Sequence, residues 1–174
     1  MHEQSQHLAK AVILEILRKA GGRLSSTTAL FKAFWMSHIE YAKSQHQLLT
    51  TWPIVRMERG PGIGNFKTLY SSMILDEEIE MEENLQAGGM SYSLGPEPLS
   101  SVTLTQEMTD AIAKAVEWID GKTPEELSKQ SHEMSWQWRE LEPDEEMDVF
   151  MELIPEDVIS KKRSRVSEIC AAVK

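Results

Sequence analysis

The segment from Ser25 to residue 43 constrains the fold most, because it carries large apolar side chains around most of a predicted helix. Ser25, Ser26 or Thr27 can cap this helix at its start. Its apolar positions are Leu30, Phe31, Phe34, Trp35, Ile39 and Ala42. A helix with so many large side chains is buried on most of its circumference. We therefore expect it at the centre of the fold, with other elements packed around it.

Helical periodicity predicts five further helices, at residues 8–20, 66–74, 124–132 and 156–173 and in a segment that is capped near Thr103 or Thr105 and ends at Gly121. The strongest local signal is a capping box, in which Thr123 caps a helix, Pro124 opens it and Glu126 is its third residue. Asn65 is expected to cap the third helix of the chain. The last helix is expected to turn these residues inward: Val158, Ile159, Val166, Ile169, Cys170 and Val173.

Two β signals interrupt the helices. Residues 51–57 are rich in β-formers and predict a short strand, with Pro53 at a sheet edge or at the strand start. A glycine loop at 60–64 is expected to follow. Residues 79–85 and 90–94 alternate apolar with acidic or small residues, and the glycines between them predict a β-hairpin. The outward face of this hairpin is expected to be acidic through Glu78, Glu80 and Glu82. An irregular aromatic stretch around 136–138 and a solvated acidic loop at 142–148 complete the prediction.

The expected fold is mainly α, of the α+β class: a compact helical domain of about five to six helices with a short strand and a β-hairpin wing. A chain of 174 residues can bury a core without disulfides, and Cys170, the single cysteine, cannot form an intrachain one. Residues 1–174 are expected to form one domain, with its core at about 8–160. The chain shows neither a signal-peptide pattern nor the roughly 18 apolar residues of a membrane span. The expected location is the cytoplasm, with no membrane partner.

Charge is unevenly distributed along the chain. The net charge is +5 over residues 1–67, −9 over 68–113 and −6 over 114–174, which gives −10 in total. Such a balance repels a phosphate backbone and argues against general nucleic-acid binding. An acidic surface with a basic patch suits a protein partner at least as well.

No set of residues forms a catalytic or metal-binding motif, so we expect neither an enzyme nor a bound metal or cofactor. None of the five histidines forms an H-E-x-x-H pair, and a lone cysteine cannot build a structural zinc site. His38 lies on an apolar helix face and is expected in the core. His132, next to Glu133, is expected to make a structural hydrogen bond near the aromatic residues rather than to form a catalytic pair.

Two regions are candidates for binding. Residues 60–65 form either a plain turn or an anion site, because helix N-terminal amides bind anions and cationic side chains lie nearby in sequence. The tryptophans that flank loops are typical both of binding hot spots and of cores. The candidate contact residues are Trp52, Arg56, Arg59, Gly60, Pro61, Asn65, Lys67, His132, Trp136 and Trp138.

Four segments follow one another in the order of a known family. Residues 29–35 hold an apolar and aromatic run with a lysine, and residues 53–61 hold a predicted strand that leads to Gly60 and Pro61. Residues 121–136 hold a glycine break, a Leu-Ser pair, a histidine and a tryptophan, and residues 154–157 read Ile-Pro-Glu-Asp. This order resembles the Panacea domain, the family of SocA-like antitoxins and GepA-like phage-associated proteins.

The resemblance implies a non-catalytic antitoxin that neutralises a cognate toxin by direct binding, and that in some members also delivers the toxin to a protease. It further implies that Gly60, Pro61, His132 and Trp136 are characteristic family positions. Two alternatives stay open: a winged-helix DNA-binding regulator, and a phage or host interaction protein. The net charge and the acidic hairpin argue against the regulator, because a wing usually meets phosphate.

Overall fold

A computed structural model describes the backbone of residues 2–84, 89–96 and 102–172 and, within these ranges, the side chains of 3–166. Over this part of the chain the helices are α1 (His2–Lys19), α2 (Thr27–Gln45), α3 (Phe66–Leu75), α4 (Gln106–Ile119), α5 (Pro124–Met134), α6 (Trp136–Glu140), α7 (Val149–Glu152) and α8 (Glu156–Ala172). The strands are β1 (Arg23–Leu24), β2 (Ile54–Met57), β3 (Gly60–Ile63), β4 (Ile79–Asn84) and β5 (Gly89–Leu94). The α+β class is confirmed, and the two additional helices are the short α6 and α7. None of the described helices has the length and apolar character needed to cross a membrane.

Helix α2 lies at the centre, as predicted. Ser26 caps it, since its Oγ accepts a hydrogen bond from the Ala29 amide at 3.0 Å. The helix contacts α1, α4, α5 and α7, together with strands from both sheets. Its buried residues are Thr28, Ala29, Leu30, Lys32, Ala33, Phe34, Trp35, Met36, Ser37, His38, Ile39, Tyr41 and Ala42.

The buried histidine of α2 is a core residue, as predicted. His38 is 1% exposed, and its Nδ1 donates to the Phe34 carbonyl at 2.9 Å. Its Nε2 lies 2.9 Å from the hydroxyl of Thr50, from which a neutral ring accepts a hydrogen bond. Burial lowers the pKa of His38 to about 4, so the ring is neutral at pH 7.

The predicted hairpin is present as β4 and β5, with Ile79 opposite Leu94. The two-residue strand β1 extends this sheet by pairing with β5, in the order β1-β5-β4. The expectation that Glu78 faces outward is wrong. Glu78 is 8% exposed, and its Oε2 lies 3.2 Å from Lys10 Nζ in an ion pair without hydrogen-bond geometry. Lys10 is buried at this end of the sheet and forms ion pairs with both Glu78 and Asp76, whose Oδ2 lies 2.6 Å from Nζ, and this explains the difference because nearby carboxylates stabilise a buried ammonium.

The expected glycine loop at 60–64 is wrong, because residues Gly60–Ile63 form strand β3. Strand β3 pairs antiparallel with β2, with Arg56 opposite Pro61 and Met57 opposite Gly60.

The expectation of a fully solvated loop at 142–148 is also wrong in part. The Met147 amide donates to the Ile54 carbonyl at 2.8 Å, and the Met147 side chain is buried. The 144–147 segment therefore runs along the free edge of β2 and hydrogen bonds to it.

The C-terminal helices follow the predicted order with two differences. The capping box is confirmed: the Thr123 amide donates to Glu126 Oε2 at 2.8 Å, and the Glu126 amide donates to Thr123 Oγ1 at 3.2 Å. The aromatic stretch at 136–138 is helical rather than irregular. The inner-face expectation is wrong for Val166, which is 59% exposed, because the core ends before this turn of α8. Ile169, Cys170 and Val173 lie outside the described side chains.

Candidate functional site

The β2–β3 hairpin divides the candidate residues between its two ends. Arg56, Arg59, Gly60 and Pro61 lie at its turn, where Met57 pairs with Gly60. The other end is about 10 Å away, since each residue of a strand advances about 3.3 Å. The pairing of Ile54 with Ile63 marks that end. The candidate residues that the sequence analysis placed in or beside one loop therefore lie in two separate regions.

Helix α6 brings Trp138 against the turn of this hairpin. Ser135 caps the helix, with its Oγ accepting from the Trp138 amide at 3.0 Å. The indole Nε1 of Trp138 donates to the Met57 carbonyl at 2.6 Å. Arg56 Nε donates to the Trp138 carbonyl at 3.3 Å, and its guanidinium carbon lies 4.9 Å from the centre of the indole ring. Cation–π contact and backbone hydrogen bonds therefore fix the indole from both sides.

His132 of α5 lies against the same indole. Its ring centre is 3.4 Å from that of Trp138, with 7° between the planes. Burial and the positive charges of Lys32 and Arg56 lower the pKa of His132, which favours the neutral ring. Its Nε2 lies 3.5 Å from Ser128 Oγ, at the outer limit of a hydrogen bond. The expected structural hydrogen bond is therefore present, and parallel ring contact with Trp138 also holds His132. We call Arg56, Trp138 and His132 the turn stack.

Lys32 is a functional candidate that the sequence analysis missed. It is 1% exposed, and its Nζ donates to the Pro61 carbonyl at 2.7 Å. Burial lowers its pKa to about 7. A signal was present in the sequence, since a lysine between Phe31 and Phe34 on a helix buried all round cannot reach water easily.

Gly60 and Pro61 are buried beneath the turn stack. Gly60 has φ +101°, a backbone conformation that favours glycine. A Cβ at this position would lie 2.7 Å from Lys32 Nζ and would also press on the hydroxyl of Ser131. These two residues are accordingly buried parts of the hairpin turn, whereas Arg56 and the two rings are partly exposed and Arg59 is exposed.

The remaining candidates lie elsewhere. Trp52 is 9% exposed, and its indole donates to the Gly64 carbonyl at 2.7 Å, at the far end of the hairpin. Asn65 and Lys67 are exposed at that same end. Asn65 occupies the cap position of α3 as predicted, but its side chain makes no capping hydrogen bond. Trp136 is buried toward α7, where its indole donates to the Met151 carbonyl at 3.2 Å.

Residues 60–63 form a paired strand rather than the open loop expected from the sequence, so this part of the 60–65 segment does not form a phosphate-binding loop. The Gly64 amide donates to the Pro53 carbonyl at 2.9 Å. Within the described part of the chain, no group of three or more His, Cys, Asp and Glu side chains is placed to hold a metal ion.

Comparisons with protein-family models, with curated proteins and with solved structures find no match to this chain. The Panacea resemblance rests on the four sequence segments described above.

Proposed function

We propose that this chain is a protein-binding module of the antitoxin type, which neutralises a toxin by direct contact through the turn stack. The observation that carries the proposal is the packing of both Arg56 and His132 against the partly exposed ring of Trp138. The two rings are half-buried and each presents a part of its surface to solvent. Arginine and tryptophan are the residue types most enriched at interface hot spots.

Preorganisation supports this role. The Trp138 indole is held by a backbone carbonyl on one strand and by a guanidinium above its ring. A partner that covers it loses little side-chain entropy, since these rotamers are already restricted. Burying such a ring contributes more to affinity than burying a free side chain of the same size.

The charges around the turn stack suit a protein partner. Arg59 and Lys129 lie on its rim with Glu58, Glu125 and Glu133. No ion pair is formed by Arg56 or Arg59 with any described carboxylate. Mixed charge around an aromatic centre is typical of a protein interface with a polar rim. A nucleic acid requires a continuous basic stripe instead.

The acidic wing counts against the DNA-binding alternative. Glu80, Glu82 and Glu83 are exposed on β4. Arg23 Nη2 lies 3.2 Å from Glu82 Oε2, so it offsets one of these charges. A wing of this charge repels the phosphate backbone that a winged helix must approach.

Co-expression tests the proposal. The chain is expressed together with the product of the gene encoded beside it, and growth rescue and complex formation on gel filtration are measured. We expect rescue, a stable complex, and loss of both with Arg56→Glu. The matched control is Lys122→Glu, which removes the cation from a different indole, since Lys122 Nζ lies 4.8 Å from the ring of Trp118.

The results separate the candidate roles. Absence of a complex with a toxic neighbour would contradict the proposal, and so would equal loss of binding in both variants. Delivery to a protease is distinguished from simple neutralisation by the lifetime of the toxin, which only delivery shortens. Specific retention of the chain on its own promoter DNA would favour the regulator instead.

A further inference from the structure

A cavity of about 300 Å³ lies beside the turn stack, between the first turns of α2 and the turn of the β2–β3 hairpin. Phe31, Met57 and Pro124 form apolar parts of its wall, and Thr27 and Thr28 form polar parts. Lys32 and Gly60 both line it. A Cβ built on Gly60 would lie 2.7 Å from Lys32 Nζ, so the amine lies close to the part of the wall that Gly60 forms.

The ammonium group at this wall lacks a counter-charge. Its hydrogen-bond partner is the Pro61 carbonyl, which satisfies one of its three protons. No described carboxylate lies within 4.0 Å of Nζ, and burial dominates its electrostatics. Glu58 lines the same cavity but is exposed and makes no ion pair with Lys32. A buried cation of this kind is costly unless an anion comes to it.

We propose that this cavity binds a small carboxylic acid with an apolar body, its carboxylate on Lys32 Nζ and its body against Phe31, Met57 and Pro124. The volume suits a ligand of this kind, and a mostly apolar wall with few charged groups is the usual composition of a small-molecule site. Arg59, exposed at the rim, adds a second positive charge near the entrance. A phosphate dianion would need more donors than one buried amine supplies.

The proposal is independent of the protein-binding function, because the isolated chain is tested. Benzoate and hexanoate serve as probes, benzamide as the neutral analogue of benzoate, and inorganic phosphate as the small anion without an apolar body. Binding is measured by titration with backbone amide chemical shifts, which also locate the site. We expect saturable shifts at Thr28, Phe31 and Gly60 with both carboxylates, and binding of benzamide weaker by about tenfold or more.

Variants test the role of the amine. Lys32→Met keeps an unbranched side chain, shorter by one atom, and removes its charge, and is expected to weaken benzoate binding by about tenfold or more. Lys67→Met, at the far end of the hairpin, is the matched control and should leave binding unchanged. Arg59→Met changes an exposed residue and should weaken binding by a smaller factor, which gives a second reading if Lys32→Met does not fold.

Three results would overturn the assignment. The first is unchanged benzoate affinity in folded Lys32→Met, or in Arg59→Met if the first variant is unfolded. The second is a set of shifts away from the cavity. The third is binding of benzamide or of inorganic phosphate as tight as that of benzoate, which would show that the cavity does not select a carboxylate with an apolar body.

Discussion

Replacement of Lys32 by methionine should change how the free energy of unfolding depends on pH. The side chain is 1% exposed, and burial lowers its pKa from 10.5 to about 7. In the unfolded chain water solvates the amine and its pKa returns to the ordinary value. Between these two values the unfolded state binds more protons than the folded state, so the contribution of Lys32 to stability rises with pH.

The size of the effect follows from the same two values. Each pH unit between the two pKa values changes the free energy of unfolding by up to about 1.4 kcal/mol. Allowing for partial titration near pH 7, wild type should gain about 2 kcal/mol relative to Lys32→Met between about pH 7 and about pH 9. Below pH 7 the amine is protonated in both states, so Lys32 should no longer make the difference in free energy of unfolding between the two proteins depend on pH.

Urea unfolding of both proteins at matched pH values measures this difference, which cancels the titration of groups whose pKa does not depend on the charge of Lys32. Lys67→Met removes a lysine that water already solvates and serves as the control. A wild-type minus Lys32→Met difference that stays constant between about pH 7 and about pH 9 would refute the reasoning. It would mean that the amine reaches water in the folded protein.

Three further predictions concern stability. As the pH falls from about 6.5 to about 4, the free energy of unfolding should fall by about 3 kcal/mol, because His38 binds a proton in the unfolded state but stays neutral in the folded state. His38→Gln should flatten this part of the pH profile measured by urea unfolding. In thermal melts, Gly60→Ala should lower the free energy of unfolding by more than about 2 kcal/mol, because a backbone φ of +101° is combined with close contact between the new Cβ and Lys32 Nζ. Gly121 has φ +68° and nothing within 4 Å of an added Cβ, so Gly121→Ala should cost about 1 kcal/mol in the same assay. Lys10→Met should cost about 3 kcal/mol in urea unfolding, because it leaves Glu78 buried without its counter-charge, and an unchanged midpoint would contradict the buried ion pair.

The six longer helices and the β4–β5 hairpin could be predicted because their signals are local, whereas the short α6 and α7 were missed. The period of apolar residues and the capping residues Ser26 and Thr123 act within one or two turns, and the structure follows them closely. Strand β3 could not be predicted in this way. Its Gly-Pro-Gly composition is typical of turns, and only pairing with β2 makes it a strand. Strand β1 is likewise defined by β5, which is distant in sequence.

The candidate site, like the fold, could be predicted from the sequence only in part. Arg56, Arg59, His132 and Trp138 were named from composition and resemblance, and the structure places them together. Trp52 and Trp136 were named on the same grounds, yet their indoles donate to nearby backbone carbonyls and are buried. Sequence alone does not separate these cases, because exposure depends on the elements that pack across each ring. Lys32 was missed because a charged side chain within an apolar helix is usually expected to reach solvent.

The most direct test of the turn stack is a hydroxyl-radical footprint of the chain, free and in complex with its proposed toxin partner. Trp138 and His132 are half-buried in the free chain, and so is Trp118, which provides an internal control with the same indole chemistry. The proposed contact predicts strong protection of Trp138 and His132 in the complex and unchanged oxidation of Trp118. Unchanged oxidation of Trp138 and His132 at full occupancy would contradict it.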